Sequence, residues 1–428
     1  MARIIKAAKC LSYDPDFAMS LFETKSNILI TCGRGISPYL AMELKKTGFT
    51  VTSEHPYGVE TEGTMCDAMT LNLAVRTGQR VLYRITSQKA RTPKEFYHVL
   101  RDLPWEEYID PNEYLTVTSV VDTQSIRDSR FANLKAKDAI VDRLFAEMGR
   151  RPDSGPERRG ATVHCYWKGD RCDIYIDTSG EPLSKRGYRV ASVEAPLQES
   201  LATALIMASG WSDGEHFVNP MCGSGTFAIE AALMALDRAP GLLRNSFGFM
   251  HIKGFRKSAW KSMRNSWNRR SKISAGIRII ATDIDETAVA AARENAEAAG
   301  MESFIEFAVA PFQETTIPVG RCLIMINPEY GKRLGNQHEL EEVYRRMGDF
   351  LKQRCAGNRA AIFTGNLHLA KNIGLKTSRR LTFYNGGIEC RLLCYDLYEG
   401  GGKKRPPSAN REVPSSFHRS SEDKVNRE

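Results

Sequence analysis

The sequence lacks the cysteine patterns that indicate a zinc site or a disulfide framework. Its ten cysteines are scattered over 428 residues, and no two of them form a Cys-x-x-Cys pair. The two that stand closest, Cys390 and Cys394, are expected to be packed thiols. We therefore expect no bound metal and a reducing, cytoplasmic location.

Long apolar runs are also missing. No stretch approaches the roughly 18 apolar residues that a membrane-spanning helix needs. The basic start of the chain has no apolar segment of the kind found in a signal peptide. The chain has 42% apolar and 26% charged residues, which is typical of a globular protein, and its length favours two or three domains. No membrane partner is expected.

Two nucleotide-binding signatures are absent from the glycine-rich turn in "NPMCGSGTF". The turn has neither the Lys of a Walker A loop nor the GxGxxG spacing of the dinucleotide fold. Gly223 and Gly225 let a ligand approach the main chain, and the helix that follows offers free N–H groups to a carboxylate. A ligand with a carboxylate and a ribose but no phosphate fits best, which indicates S-adenosylmethionine (SAM); a tight turn without a ligand is the alternative. The predicted cofactor contacts in this stretch are Asn219, Pro220, Cys222, Gly223, Ser224, Gly225 and Thr226.

The next predicted strand ends in the acidic sequence "ATDID". A carboxylate at a strand end can accept hydrogen bonds from both hydroxyls of a ribose, so Asp283 and its neighbour Ile284 are predicted cofactor contacts. Asp285 is placed to cap the following helix, and a cap is also the alternative role for Asp283. The stretch before Asp283 is far longer than the ~20 residues usual after such a turn, which indicates an insertion.

Acidic residues are absent from part of this insertion, Phe255 to Arg278, which contains eight Lys and Arg residues. Basic side chains interleaved with aromatic ones suit a nucleic-acid strand. The formal net charge of +9 also favours a polyanionic partner. Arg264, Arg269 and Arg270 are therefore predicted RNA contacts. The alternative is a helix that packs Trp260 and Trp267 inward and exposes a basic face to water.

A fourth predicted strand ends in "NPEYG". The side-chain oxygen of Asn327 and the carbonyl of Pro328 are suited to accept the two hydrogens of an exocyclic amine and to direct its nitrogen towards a methyl donor. Tyr330 is expected to stack on the base that carries the amine. Asn327, Pro328 and Tyr330 are the predicted catalytic residues.

The order of predicted elements changes near residue 195. Earlier residues mix strands and helices without βα regularity, which indicates an α+β region. Later residues alternate strands and helices, which predicts a parallel α/β sheet with ligands at the carboxyl ends of its strands. The last 30 residues are polar and rich in Pro and Ser, and they are expected to be disordered.

Several long stretches resemble the THUMP-containing ribosomal RNA guanine-N2 methyltransferases. They include "TCGRGISPYLAMELKKTGF", "SRFANLKAKDAIVDRL", "LSKRGYRVASVEAPLQESLATALIMASGW" and "FTGNLHLAKNIGLKTSRRLTFYNGGIECRLLCYDL", and the resemblance extends from about residue 27 to 398. It implies a Rossmann-like methyltransferase that transfers a methyl group from SAM to the 2-amino group of a guanine in large-subunit rRNA.

The resemblance also implies a division of the chain. We expect a ferredoxin-like part at 1–58, a THUMP RNA-binding domain at 59–182, a Rossmann-like methyltransferase domain at 183–398 and a disordered basic tail at 399–428. The predicted RNA contacts in this region are Arg127, just before the stretch that resembles the THUMP helix, and Arg130, Lys135 and Lys137 within it; a solvated helix face is the alternative.

Three departures from the family pattern motivate an alternative function. Asn219 replaces an Asp, Glu329 replaces a second Pro, and Pro311 stands where related enzymes often have an Asp that holds the adenine amine. The alternative is an rRNA-binding assembly factor with weak or no catalysis. A DNA adenine methylase uses similar Asn-Pro chemistry but does not fit the N-terminal resemblance. A covalent cysteine mechanism is disfavoured, since neither Cys222 nor Cys322 is placed as a nucleophile.

Overall fold

The structure is a computed structural model, and it describes residues 21–191, 197–273, 276–329 and 337–399. Tyr330, a predicted catalytic residue, and all but the first residue of the predicted disordered tail lie outside the described residues. Among the described residues, no helix combines the length and the apolar character that crossing a membrane requires.

The N-terminal residues form a seven-stranded sheet, called here the first sheet, in the order β2-β3-β1-β4-β7-β6-β5. Its strands are β1 Ser26–Thr31, β2 Ser53–His55, β3 Gly58–Gly63, β4 Arg80–Lys89, β5 Leu115–Asp122, β6 Ala161–Lys168 and β7 Arg171–Asp177. Only the pair β5 and β6 is parallel, and the other neighbours are antiparallel. This mixed arrangement confirms the predicted α+β region.

Five helices accompany the first sheet within the described residues: α1 Ser37–Lys46, α2 Met65–Ala74, α3 Pro93–Arg101, α4 Trp105–Tyr108 and α5 Ser129–Met148. Local sequence sets their ends. The side chains of Thr64 and Asp67 form a capping box at the start of α2, and Asp128 caps α5. At the other end of α5, Gly149 adopts the left-handed conformation that ends many helices.

One face of the first sheet is apolar and packs in the core, as the alternation along β6 shows. Val163, Cys165 and Trp167 are fully buried, whereas His164 and Tyr166 between them are partly exposed. The ring of Trp167 stacks on Phe96 of α3 with 4.7 Å between ring centroids. Successive side chains of a strand point to opposite faces of the sheet. The buried residues of β6 therefore lie on the face that packs against α3.

The C-terminal residues form another seven-stranded sheet, called here the second sheet, in the order β10-β9-β8-β11-β12-β14-β13. Its strands are β8 His216–Pro220, β9 Ile279–Asp283, β10 Glu306–Val309, β11 Cys322–Ile326, β12 Arg359–Thr364, β13 Arg379–Asn385 and β14 Ile388–Asp396. The first five in the order run parallel, and β14 and β13 add an antiparallel pair. The predicted parallel α/β sheet is confirmed.

Helices α6 Glu199–Ser209, α7 Thr226–Ala235, α8 Lys257–Asn268, α9 Glu286–Ala298, α10 Gln337–Arg354 and α11 Leu367–Ala370 belong to this second region. Short 3-10 turns lie at Pro240–Leu243, Gly248–His251, Glu302–Phe304, Phe312–Glu314 and Lys371–Ile373. Two of these turns and α8 fill the predicted insertion between α7 and β9. Because β8 lies between β9 and β11, the carboxyl ends of these three strands meet at one rim.

Buried charged side chains connect the two regions. The Arg186 guanidinium, 1% exposed, pairs with the fully buried Glu230 of α7 at 3.2 Å and also donates to the main-chain carbonyl of Arg76. Residues 178–191, which follow β7, are called here the junction. Removal of one partner of such a pair leaves a costly unpaired charge, so the pair holds the junction in place. The boundary predicted between residues 58 and 59 falls at the start of β3, within the first sheet, and the predicted division remains a prediction.

Candidate active site

The glycine turn between β8 and α7 is shaped by positive backbone angles. Gly223 has φ of 51° and Gly225 has φ of 81°, a region that side chains rarely adopt. A Cβ on Gly225 would lie 2.9 Å from the Cβ of Ala292 in α9. Gly225 is therefore required both for the turn and for the close packing of α7 against α9.

Asp283, at the end of β9, is hydrogen-bonded to this turn. Its Oδ2 accepts from the Gly223 N–H at 2.9 Å, and its Oδ1 accepts from the Asp285 N–H at 3.1 Å. A carboxylate oxygen has two lone pairs, so each oxygen can accept a further hydrogen bond. Asp283 thus fixes the turn with capacity left for hydroxyl groups of a ligand.

The neighbours of Asp283 have different surroundings. Asp285 caps α9, since its side chain accepts from the Thr287 N–H at 2.8 Å, which confirms the predicted cap. Hydrogen bonds from Thr287 hold the pKa of Asp285 below its usual range. The apolar side chain of Ile284 is 74% exposed at the rim, where it offers a surface to a ligand.

The hydroxyls of Ser224 and Thr226, two predicted cofactor contacts, are hydrogen-bonded to Arg189, a residue that sequence reasoning missed. The Arg189 guanidinium donates to Ser224 Oγ and to Thr226 Oγ1, each at 3.1 Å. It also pairs with Glu199 at the start of α6, at 3.0 Å. No spacing pattern in the sequence marks Arg189, because its partners at 224 and 226 are remote along the chain.

Asn219, at the penultimate position of β8, is 1% exposed. Its Nδ2 donates to the main-chain carbonyl of Met325 in β11 at 2.9 Å. Its Oδ1 is buried and accepts no hydrogen bond from the described residues. Since a buried oxygen without a partner is costly, this atom is a vacant acceptor directly before the glycine turn.

Asn327 follows β11 and has the same property. Its Oδ1 is buried and has no hydrogen-bond partner among the described residues. Pro328 is buried and Glu329 is exposed, so the acid that replaces the second Pro of the family pattern faces solvent. The rim therefore presents two vacant amide oxygens, on neighbouring strands.

A buried tyrosine on α10 supports the Asn327-Pro328 segment. The hydroxyl of Tyr344, which is fully buried, donates to the Glu329 carbonyl at 3.3 Å and lies 2.8 Å from Thr364 Oγ1 at the end of β12. Sequence reasoning missed Tyr344, because an aromatic in an amphipathic helix has no feature that separates it from ordinary core residues.

The segment after β10 has no polar side chain at the position where related enzymes often have an Asp. Pro311 has no polar side chain, and its carbonyl accepts from the Glu314 N–H at 2.9 Å. Glu314 itself is exposed. Thr282 and Thr315, both buried, share a hydrogen bond of 2.6 Å that holds this segment against β9.

The cysteines near the rim are not suited to nucleophilic attack. Burial raises the pKa of the Cys222 thiol well above its usual range, and it raises the pKa of Cys322 to about 11. A thiol of high pKa carries little thiolate, the reactive form. This agrees with the expectation that neither cysteine acts covalently.

The predicted RNA contacts of α5 and the loop before it lie at the surface. Arg127 and Arg130 are exposed, and Arg130 pairs with Asp128 at 3.0 Å. Lys135 lies 5.9 Å from the centre of the Phe131 ring. Lys137 pairs with Asp138 at 2.9 Å. Two of the four cations are therefore partly neutralised by acids of this same segment.

The predicted contacts of α8 differ in exposure. Arg264 donates to the carbonyls of Leu242 and Arg244, both at 2.7 Å. These hydrogen bonds connect α8 to the preceding loop, so the Arg264 guanidinium is already used within the protein and we leave it out of the proposed RNA contacts. Arg269 and Arg270 are exposed, and the Arg270 guanidinium lies 4.2 Å from the centre of the Trp267 ring.

The tryptophans of α8 are arranged as the alternative interpretation expected. Trp260 is 5% exposed, and the partly buried Trp267 packs against the core. The helix therefore packs its aromatic rings inward and presents basic side chains outward.

Three families match successive parts of the chain. The "RlmL ferredoxin-like domain" matches residues 27–82, the "THUMP domain" matches 90–177, and the "RMKL-like, methyltransferase domain" matches 186–393. The matches follow the same order as the two sheets, and the third contains the whole rim described above.

Known proteins resemble the chain over most of its length. The ribosomal RNA large subunit methyltransferase K/L of Syntrophotalea carbinolica is 37% identical over 86% of this chain and 53% of its own length, so the chain spans about half of such relatives. A putative RNA methyltransferase of Synechocystis sp. is 32% identical over 86% of this chain and 96% of its own length.

A solved structure has the same architecture. It is SMU.472, a putative methyltransferase complexed with SAH, which is 26% identical with a TM-score of 0.78 and covers 88% of this chain and 99% of its own. Three findings agree in identifying the family: the family matches, the relative that is matched over nearly its whole length, and the shared fold. The chain belongs to the family of THUMP-containing, RMKL-like methyltransferases.

Proposed function

We propose that this chain is a SAM-dependent RNA methyltransferase that modifies the exocyclic N2 of a guanine in large-subunit rRNA. The observation that carries the proposal is the buried, vacant Oδ1 of Asn327 on the rim that also holds the glycine turn and Asp283. The name of the K/L relatives supports rRNA as the substrate. The cytoplasm is the proposed location.

The rim has the donors and acceptors that SAM requires. The main chain of Gly223 and Gly225 admits close approach, Asp283 has free lone pairs for the ribose hydroxyls, and Ile284 offers an apolar surface. The vacant Oδ1 of Asn219 is suited to accept from a ligand ammonium group. When bound, SAM supplies an electrophilic methyl group.

Asn327 and Pro328 prepare the guanine amine. The lone pair of an exocyclic amine is delocalised into the ring, so the nitrogen must be oriented rather than strongly deprotonated. Asn327 Oδ1 and the Pro328 carbonyl accept its two N–H groups, and Tyr344 restrains the main chain after them through the Glu329 carbonyl. Stacking of the base on Tyr330 remains a prediction.

Cations that are not paired with an acid are proposed to bind the RNA backbone. Arg127 near the first sheet and Arg269 and Arg270 at the end of α8 are exposed, and Lys135 of α5 is half-buried. None of the four forms an ion pair with a carboxylate of the described residues. Arg130 and Lys137 also belong to the proposed surface. Each already pairs with an acid, so we expect their contribution to RNA binding to be smaller. Phosphate contacts by such side chains release counterions and make binding sensitive to salt.

The decisive experiment is nucleoside mass spectrometry on unmodified large-subunit rRNA after incubation with the protein and isotope-labelled SAM. Labelled N2-methylguanosine is the expected product. Labelled N6-methyladenosine instead would redirect the proposal to an adenine, and no labelled nucleoside with intact RNA binding would contradict it.

The alternative is an rRNA-binding assembly factor. Pro311 favours it, because this residue has no side-chain acceptor for an adenine amine and its carbonyl already accepts one hydrogen bond, from the Glu314 N–H. Calorimetry separates the two functions. An assembly factor with a dead site binds RNA but releases no heat with SAM.

A further inference from the structure

Asn295 of α9 connects the junction between the two sheets to the glycine turn. Asn295 is fully buried, and its Oδ1 accepts from the N–H groups of Val190 at 2.8 Å and Ala191 at 3.0 Å. Its Nδ2 donates to the carbonyls of Ala191 at 2.8 Å and Ser224 at 3.1 Å. One amide thus satisfies four main-chain groups, three in the junction and one in the turn.

Arg189 makes the second connection from the same junction. Its guanidinium, 19% exposed on the side chain, reaches Ser224 Oγ and Thr226 Oγ1 on one side and the Leu197 carbonyl and Glu199 on the other. A planar guanidinium with five donors can hold such a set at once, which an ammonium group on a flexible stem cannot.

These contacts add to the hydrogen bond from the Gly223 N–H to Asp283, which does not restrain Ser224 itself. Ser224 stands between two glycines with positive φ, and glycine restricts the backbone less than any other residue. Binding a small ligand through main-chain groups requires these groups to be held to about 0.5 Å. Both the carbonyl and the hydroxyl of Ser224 are held by residues outside the turn.

We propose that Asn295 and Arg189 are positioning residues for the cofactor, which hold the glycine turn against the junction segment in its binding conformation. The inference rests on SAM as the cofactor of the proposed function. It makes residues 189–191 a structural part of the cofactor site, and it predicts that cofactor affinity depends on the junction that leads to the RNA-binding region.

The test is titration calorimetry of SAM with the full chain carrying Arg189→Lys or Asn295→Ala. Each variant is expected to raise the SAM dissociation constant about tenfold, equivalent to ~1.4 kcal/mol. The KM for SAM should rise by the same factor, with kcat at saturating SAM within about twofold of the unaltered protein. Lys185→Ala, an exposed junction residue that pairs with Glu181, is the matched control and should leave SAM affinity unchanged.

Each other outcome is informative. If Asn295→Ala does not fold, Arg189→Lys decides, since it retains the charge beside Glu199. Folded variants that bind SAM as tightly as the unaltered protein would overturn the inference and reduce both residues to structural support. Unaltered protein that binds no SAM overturns the cofactor assignment, whereas protein that binds SAM but methylates no RNA overturns only the proposed function.

Discussion

The parallel strands of the second sheet end in polar groups that converge on one rim, whereas the mainly antiparallel strands of the first sheet distribute polar groups over a face. Asn219, Asp283 and Asn327 stand at or just after the ends of three adjacent strands. In β6, His164 and Tyr166 alternate with buried residues instead. Parallel strands bring all their carboxyl ends to one edge, which concentrates main-chain ends and loops there, and antiparallel strands do not.

The largest expected effect is on the rim of the second sheet. Asn327→Ala should lower the methylation rate by about 10²–10³-fold, because it removes one of the two proposed amine acceptors, a change comparable to removal of an oxyanion-hole donor. SAM affinity by calorimetry should change little. Asn112→Ala, an exposed asparagine near the first sheet that donates to Asp110, is the control and should retain full activity. Equal rates for both variants would refute the amine-clamp role.

One glycine in each region allows the cost of backbone strain to be separated from the cost of steric overlap. Gly225 and Gly149 both have positive φ, 81° and 67°, but only a Cβ on Gly225 meets an obstacle, Ala292 at 2.9 Å. Gly149→Ala should lower the free energy of unfolding by about 1–2 kcal/mol from backbone strain alone. Gly225→Ala should cost about 1–3 kcal/mol more because of the overlap, and should also weaken SAM binding.

Urea denaturation of the two alanine variants, followed by circular dichroism, measures the difference. Equal destabilisation would show that α7 and α9 separate easily at Ala292. That result would mean that the packing of α7 against α9 does not require glycine at position 225, although the positive φ there would still favour it.

His164 of β6 is expected to make the stability of the first sheet depend on pH. Burial lowers the pKa of His164 to about 4, with Asp177, Arg80 and Arg158 as the nearby charged groups. The ordinary value is about 6.5, so between these pH values the unfolded chain binds the extra proton and stability falls as the pH decreases. The partly exposed ring limits the contribution to ~2 kcal/mol.

His164→Gln should flatten this dependence, because Gln is neutral throughout and can still bond to Thr118, whose Oγ1 lies 2.9 Å from His164 Nδ1. The measurement is the free energy of unfolding in urea at several pH values from 7 to 4. An unchanged slope in the variant would assign the pH dependence to other groups.

The smallest expected effects compare the two basic surfaces. Replacing Arg269 and Arg270 by Ala should reduce the slope of log K against log salt by about 0.7–0.9 for each RNA phosphate that the variant no longer neutralises. Replacing Arg127 and Lys135 should have a similar effect, whereas replacing Arg130 and Lys137, which pair with acids, should change the slope less. Filter binding of an rRNA fragment at several salt concentrations tests this, and identical slopes in all variants would exclude both surfaces.

Much of the fold follows from local pattern. The strand ends at Asn219, Asp283 and Asn327 were predictable because a short apolar run followed by a polar residue marks the carboxyl end of a buried strand. The cap at Asp285 was predictable for the same local reason, since its acceptor reaches an N–H two residues away. Which strands of the first sheet are antiparallel neighbours could be seen only in the structure, because the pairing of strands far apart in sequence has no local signal.

Local sequence is enough to identify the residues that form the rim: the glycine turn, the acid at the end of β9 and the Asn-Pro after β11, each defined within a few residues. The roles of the neighbouring side chains depend on the folded structure. It directs the hydroxyls of Ser224 and Thr226 to Arg189, the guanidinium of Arg264 to two carbonyls, and the amide of Asn295 to the junction. Most buried polar groups of a folded protein are hydrogen-bonded, and in these cases the partners lie from 20 to 105 residues away in the sequence, where no local pattern indicates them.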